Sequence, residues 1–195
     1  MLTMPIGGSN QIAIVGIDPG STTTGICILI IDLNTFDILS TIAWTINGSK
    51  LAGKNTWSEE LYGNRYSRVQ SIEYELLQIF NNYQPTIIVS EAPFINQKFP
   101  AAGIALTEVM CAIRRAVMNY DLWIELKIVP PSSVKNGINA VGGANKYAMK
   151  EKLTLLLPIL NYCGFADFDL LDEHSIDAIA VAFYGYLNYV KGINV

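Results

Sequence analysis

The stretch "IAIVGIDPGSTTTGICIL", residues 12–29, decides how the chain is to be read. A run of β-branched residues climbs to a lone acid, Asp18, breaks on Pro19-Gly20, and resumes as a second apolar run after four hydroxyl residues. Apolar, β-branched runs bounded by Pro-Gly are strand signals. Strands are predicted at 12–18, 25–33 and 36–46, joined through "PGSTTT" and "LNTF" as an antiparallel meander. A carboxylate at the end of the first strand can cap a turn, hold a metal or face a nucleotide phosphate.

Beyond the meander, "NGSKLAGKNTW" (47–57) has loop composition. Apolar positions at Leu61, Val69, Ile72, Leu76, Leu77, Ile79 and Phe80 then recur at helical spacing until Asn81-Asn82 and Pro85. "TIIVSEAP" (86–93) has the continuous apolar run of a strand covered on both faces, and ends in Glu91 shortly before Pro93. A helix is predicted over 102–119, a strand over 122–129 stopped by Pro130-Pro131, then helices over 145–157 and 171–189. The order βββαβαβαα, with parallel crossovers between the later strands, predicts an α/β fold: a mixed five-stranded sheet with helices on both faces.

Composition bounds the function. With 195 residues, 51% of them hydrophobic, the chain can bury one good core, and a single domain over 11–195 is expected behind a flexible leader at 1–10. A formal charge of −4 argues against a broadly basic nucleic-acid coat, though not against a local basic groove. Cys27, Cys111 and Cys163 are scattered in apolar surroundings, so no zinc motif or disulfide framework is suggested. The apolar runs are shorter than the roughly 20 residues of a membrane span. A cytoplasmic protein with no membrane partner is expected.

Sites in open α/β sheets form at the carboxyl ends of strands. If the strands ending in Asp18 and Glu91 are parallel neighbours, the two acids meet there. The last helix carries Ile176, Ile179, Ala180, Phe183, Leu187 and Val190 on one core stripe, while His174 and Asp177, three apart, share another side. Each residue has a structural reading: Asp18 as a turn former, Asp172 or Glu173 as partners of the helix dipole, His174 as a packed ring. Glu91 is harder to explain so, because a buried carboxylate is costly without a cation. Together, three carboxylates and the chain's one histidine suit a hard divalent cation with positions open to phosphate oxygens.

The motifs "GIDPGSTTTG", "IIVSEAPF", "VKNGINAVGGANK" and "HSIDAIAVA", in this order and spacing, resemble the RuvC-type Holliday junction resolvases of the ribonuclease H-like nucleases. The resemblance implies a magnesium-dependent endodeoxyribonuclease with two Mg²⁺ per site, for which Mn²⁺ can substitute. It would act as a homodimer on four-way or otherwise branched DNA, leaving 5′-phosphate and 3′-hydroxyl ends. It implies that Asp18 bridges the metals, that Glu91 and Asp177 are further ligands, and that His174 supplies a neutral nitrogen. Lys146 falls close to the scissile phosphate, Lys135 near the DNA path, and Phe94 where an aromatic stacks on a base.

Lys127, Lys135, Lys146, Lys150 and Lys152 stand against only Glu151 over 127–152, and Lys50, Lys54, Arg65 and Arg68 form a second basic group. Either can line a DNA groove, Lys150 and Lys152 with Lys135 and Lys146 in the first. Thr107-Glu108 and Met110 replace the small packing surface common in the family's dimer helix, and with the acidity and the 47–57 loop point to a divergent or phage-encoded member. Two rivals remain at this level. A sugar-kinase or actin-like ATP-binding protein shares the Gly- and hydroxyl-rich hairpin but needs a second domain. A noncatalytic module for branched DNA would have no use for a repulsive acidic cluster.

Overall fold

The computed structural model describes residues 10–54, 56–93, 98, 100–140, 146–160 and 170–193, with the backbone alone at 56, 146, 147 and 193. β1 (Gln11–Asp18), β2 (Thr23–Asp32) and β3 (Ile38–Asn47) form the expected antiparallel meander. β4 (Ile87–Glu91) lies against the other side of β1, and β5 (Leu126–Val129) against β4, both pairings parallel. The order β3-β2-β1-β4-β5 makes one mixed sheet of five strands.

Alternation along the strands divides the core in two. Val15, Ile17, Ile26, Ile28 and Ile88 face α3 (Asn64–Tyr83) and α4 (Pro100–Tyr120), where Ile72, Leu76, Phe80, Val109 and Ile113 meet them. Ile14, Cys27, Leu29, Ala43 and Val89 face the opposite layer, made of α5 (Pro131–Gly137), α6 (Lys146–Leu160) and α7 (Glu173–Ile193). A sheet covered on both faces explains why β1 and β2 read as almost unbroken apolar runs.

Several local expectations change. The 47–57 segment is not all loop: α1 (Gly48–Ala52) starts where the Asn47 side chain accepts a hydrogen bond from the Lys50 N–H. The long helix before β4 is two, α2 (Thr56–Tyr62) and α3, broken at Gly63, whose φ of 84° only glycine adopts easily. α3 ends as Gln84 turns left-handed and its N–H reaches the Phe80 carbonyl. β5 keeps only four residues of the predicted 122–129, since Asp121 Oδ1 accepts from the Trp123 N–H and turns the chain first. Pro131 does more than stop that strand: it occupies the first turn of α5, where its missing N–H costs nothing.

α7 is buried beyond its predicted stripe. Ala178, Val181 and Ala182 are as inaccessible as Ile179 and Ala180, because the helix lies between the sheet and α5 and α6. No helix among the described residues is long and apolar enough to cross a membrane. Cys27 is buried, with its thiol pKa pushed up by that burial, and Cys111 is exposed; both are free thiols, and Cys163 lies outside the described residues.

Candidate active site

The site begins as a row across the sheet. Asp18 ends β1 and pairs with Gly25 of β2, which pairs with Thr45 of β3. On the other side Ile17 pairs with Ser90, so Glu91 follows at the level of Asp18. Directly paired residues project to one face, and the alternation that sends Ile14, Cys27, Ala43 and Val89 toward α7 sends Asp18, Thr45 and Glu91 there too. The parallel pairing of β1 with β4 thus brings the two acids together.

α7 can come down on this row because the sheet beneath it has no side chains in two places. A Cβ added at Gly16 would lie 2.5 Å from the Ala178 carbonyl oxygen and 2.7 Å from Ala182 Cα. A Cβ added at Gly25 would lie 2.5 Å from the carbonyl carbon of His174 and closer still to its oxygen. Helix backbone therefore rests on strand backbone. His174 Nδ1 sits 2.7 Å from Asp18 Oδ2. Their side chains keep 32% and 17% of their surface exposed, so the pair is reachable from solvent.

The start of α7 is pinned independently. Asp172 Oδ1 accepts from both the backbone N–H and the hydroxyl of Ser175, each at 2.8 Å, and Oδ2 accepts from the Thr45 hydroxyl. Burial pushes the Asp172 carboxyl up, but the hydrogen bonds from Thr45 and Ser175 outweigh it and hold the group below the usual carboxylate range. The expectation that an acid serves the N-terminus of this helix is met by Asp172.

Electrostatics ties the remaining acids to the same place. Burial, and then the charges of Asp18 and Asp177, push the Glu91 carboxyl up to about 7, with Lys135 opposing them. Burial and the Asp18 charge push Asp177 up to about 6, against the pull of His174 and Lys135, with Glu173 adding to the rise. The hydrogen bond to Asp18 raises His174 above the usual histidine value despite the cost of its burial. Asp18 thus acts on Glu91, Asp177 and His174, Asp177 also feels His174 and acts on Glu91, and the charge of Lys135 on α5 offsets part of the repulsion at both raised acids.

The donors suit a hard cation in kind, and the raised carboxyls mark a local shortage of positive charge. No three His, Cys, Asp or Glu among the described residues are gathered into a ready-made metal-binding group, and one Asp18 oxygen is engaged by His174. Closing a coordination shell would therefore require these side chains to move.

Other predicted residues fall less centrally. Lys150 and Lys152 lie on α6, which Met149, Leu153 and Leu160 anchor in the α7 layer. Lys146 begins α6, but its side chain lies outside the described residues, as does Phe94 entirely. Within the second basic group Arg65 pairs with Glu108 of α4 at 2.9 Å, and the buried Nε of Arg68 has no hydrogen-bond partner among the described residues. Met110 belongs to the core rather than to an outer packing surface, 2% exposed with its sulfur near Ser90. Sequence reasoning missed Gly25 and Thr45. Gly25 closes the "GSTTTG" run and the Thr45 hydroxyl interrupts an apolar strand, but neither signal names its partner.

Residues 14–184 match the family described as "Crossover junction endodeoxyribonuclease RuvC". A RuvC of Ehrlichia ruminantium is 30% identical over 175 residues, covering 87% of this chain and 92% of that protein. One from Chlorobium phaeobacteroides is 25% identical over 159 residues, covering 82% and 75%. Among solved structures, T. thermophilus RuvC in complex with a Holliday junction substrate superposes with a TM-score of 0.63 at 17% identity, over 93% of this chain and 96% of that one. The yeast mitochondrial Holliday junction resolvase gives 0.58 at 10% identity, over 92% and 82%. At these identities the structural matches establish the fold.

Proposed function

Because the chain belongs to the crossover junction endodeoxyribonuclease RuvC family, we propose that it resolves four-way or related branched DNA by Mg²⁺-dependent paired nicks. The observation that carries this reading is the meeting of Asp18, Glu91, Asp177 and His174 where β1 and β4 end beneath the first turn of α7. These four residues would hold the two divalent cations, Mg²⁺ or Mn²⁺, whose charge polarises a phosphodiester and stabilises the departing oxygen.

The chain's own groups have separable tasks. His174 orients Asp18 through their 2.7 Å hydrogen bond. When no cation offsets their charge, Glu91, pushed up to about 7, shares its proton near neutrality, whereas Asp177, pushed up to about 6, takes one only in mildly acidic solution. Lys135 moderates that repulsion, and in this reading it also lies along the DNA path. In this reading Lys146 steadies the charge that develops on the scissile phosphate, Lys150 and Lys152 track the backbone, and Phe94 stacks on an opened base. Two copies related by a twofold axis match the symmetry of a junction and the need for opposed nicks. The products are 5′-phosphate and 3′-hydroxyl ends. Residues 11–195 act as one nuclease domain behind a short leader, in the cytoplasm of a bacterial or phage-infected cell.

The test incubates the protein with a labelled immobile four-way junction and its linear duplex, in Mg²⁺ or EDTA, beside Asp18→Asn. Paired nicks in the junction alone, lost in EDTA and in the variant while junction binding persists, are expected. Tight binding with no cleavage in any metal would leave a noncatalytic junction-binding module; ATP binding without junction binding would turn the reading toward the actin-like alternative.

A further inference from the structure

We propose that Thr45, acting with Asp172 and Ser175, is a positioning clasp that sets the seating of His174 against Asp18 and through it the cleavage rate. The proposal rests on the nuclease reading above for its consequence, though not for its geometry. Thr45 lies on β3, two strands away from Asp18, and is joined to it through the row Asp18, Gly25, Thr45. Its side chain makes no hydrogen bond to any of the four metal-ligating candidates. Its hydroxyl donates instead to Asp172 Oδ2, while the Ser175 N–H and hydroxyl donate to Oδ1 at 2.8 Å each.

A hydroxyl has one proton to give. Both hydroxyl protons here are directed at the carboxylate, so the 3.0 Å approach of Thr45 Oγ1 to Ser175 Oγ is a consequence of their shared acceptor. Three hydrogen bonds to one ionised carboxylate make a strong local tie. The first turn of a helix lacks intrahelical partners for its N–H groups and frays unless something holds it. The first turn of α7 is held on three adjacent strands: by Asp172 on Thr45, by the His174 backbone over Gly25, and by the His174 ring on Asp18. Ser175 is 2% exposed, so the clasp is closed off from water on one side. Removing the β3 anchor leaves the first turn held only by the His174 backbone over Gly25 and by the ring's own bond to Asp18, and frees the Asp172 end to shift. A misplacement of about 1 Å in a catalytic constellation is worth about 10²-fold in rate.

Thr45→Val removes the hydroxyl while keeping shape and strand preference; Thr45→Ser keeps it; Ser175→Ala opens the other side of the clasp. The readouts are single-turnover junction cleavage in Mg²⁺, junction affinity, and the imidazole NMR resonances of His174, which are free of overlap because the chain has one histidine. Thr45→Val is expected to slow cleavage about 10-fold to 10²-fold at unchanged junction affinity. It should also move the His174 resonances; Thr45→Ser should restore both, and Ser175→Ala should shift both in the direction of Thr45→Val. Cleavage by Thr45→Val within twofold of wild type overturns the proposal. So does a slowed Thr45→Val whose His174 resonances stay in place, or one that Thr45→Ser fails to rescue. If wild-type protein cuts no junction, the nuclease reading fails; the His174 resonances of the three variants then support the clasp's geometry or overturn it.

Discussion

Gly25→Ala is the sharpest test of how the site is assembled. Gly25 is paired with Asp18 on one side and Thr45 on the other, and the His174 backbone lies directly above it. Its φ is not in the left-handed range, so alanine is compatible with the backbone and the penalty comes from contact alone. The new Cβ would stand 2.5 Å from the His174 carbonyl carbon, where ordinary contact begins near 3.4 Å. The first turn of α7 must therefore retreat by at least about 0.9 Å, the difference between those two distances. Asp172 and Ser175 oppose the retreat, and backbone cannot turn aside as a flexible side chain does.

Such overpacking costs about 1–3 kcal/mol. A retreat of that size along the bond carries the 2.7 Å His174–Asp18 contact beyond hydrogen-bonding range, which ends at about 3.2 Å. Cleavage should fall by about 10²-fold. Urea denaturation and single-turnover cleavage of a labelled junction measure the two effects. Gly53→Ala is the control, because a Cβ there meets only carbonyl oxygens at 3.7 and 3.8 Å, and it should leave both within experimental error. Gly25→Ala protein that cleaves within about threefold of wild type would refute the close seating of α7 as the source of site geometry.

The raised carboxyls make a pH prediction with a definite sign. Folded Glu91 and Asp177 keep protons up to about pH 7 and 6, whereas their ordinary values are 4.5 and 3.8. Their contribution to metal-free stability is full below the ordinary values and is lost as pH rises through the folded ones; the raised His174 adds in the same direction. In EDTA, Tm should fall between pH 5 and 8, and Glu91→Gln should flatten the slope; a flat wild-type profile would contradict the clustering. Lys135→Met removes a charge that lowers both acids, so the pH at which Mg²⁺ supports half-maximal cleavage should move upward; an unmoved profile would separate Lys135 from the cluster. Leu29→Ala, at a fully buried position in the α7-facing core, should cost about 2–5 kcal/mol in urea unfolding. Arg115→Ala should cost less than about 1 kcal/mol although Arg115 meets Glu73 at 2.6 Å, because its side chain is 53% exposed; a larger loss would mean that the pair helps join α3 to α4.

The chain spells out its local features. Asp18 before Pro-Gly, Glu91 at the end of an apolar run, and His174 and Asp177 three apart on a helix are legible because strand and helix periods are short-range properties. So is the succession of five strands along the chain, because each strand is bounded by its own turn chemistry. Small elements were less legible: α1 depends on the Asn47 side chain capping a Gly-containing segment, and α5 on a proline that initiates a helix while ending the strand before it. What only the tertiary structure decided is adjacency. That β1 lies parallel to β4 places Asp18 beside Glu91, and that α7 rests on Gly16 and Gly25 places His174 on Asp18. Thr45 and Asp172 are 127 residues apart, and nothing in the spacing of either announces the other. Such contacts arise when whole faces pack, and the packing depends on where side chains are absent as much as on where they are present.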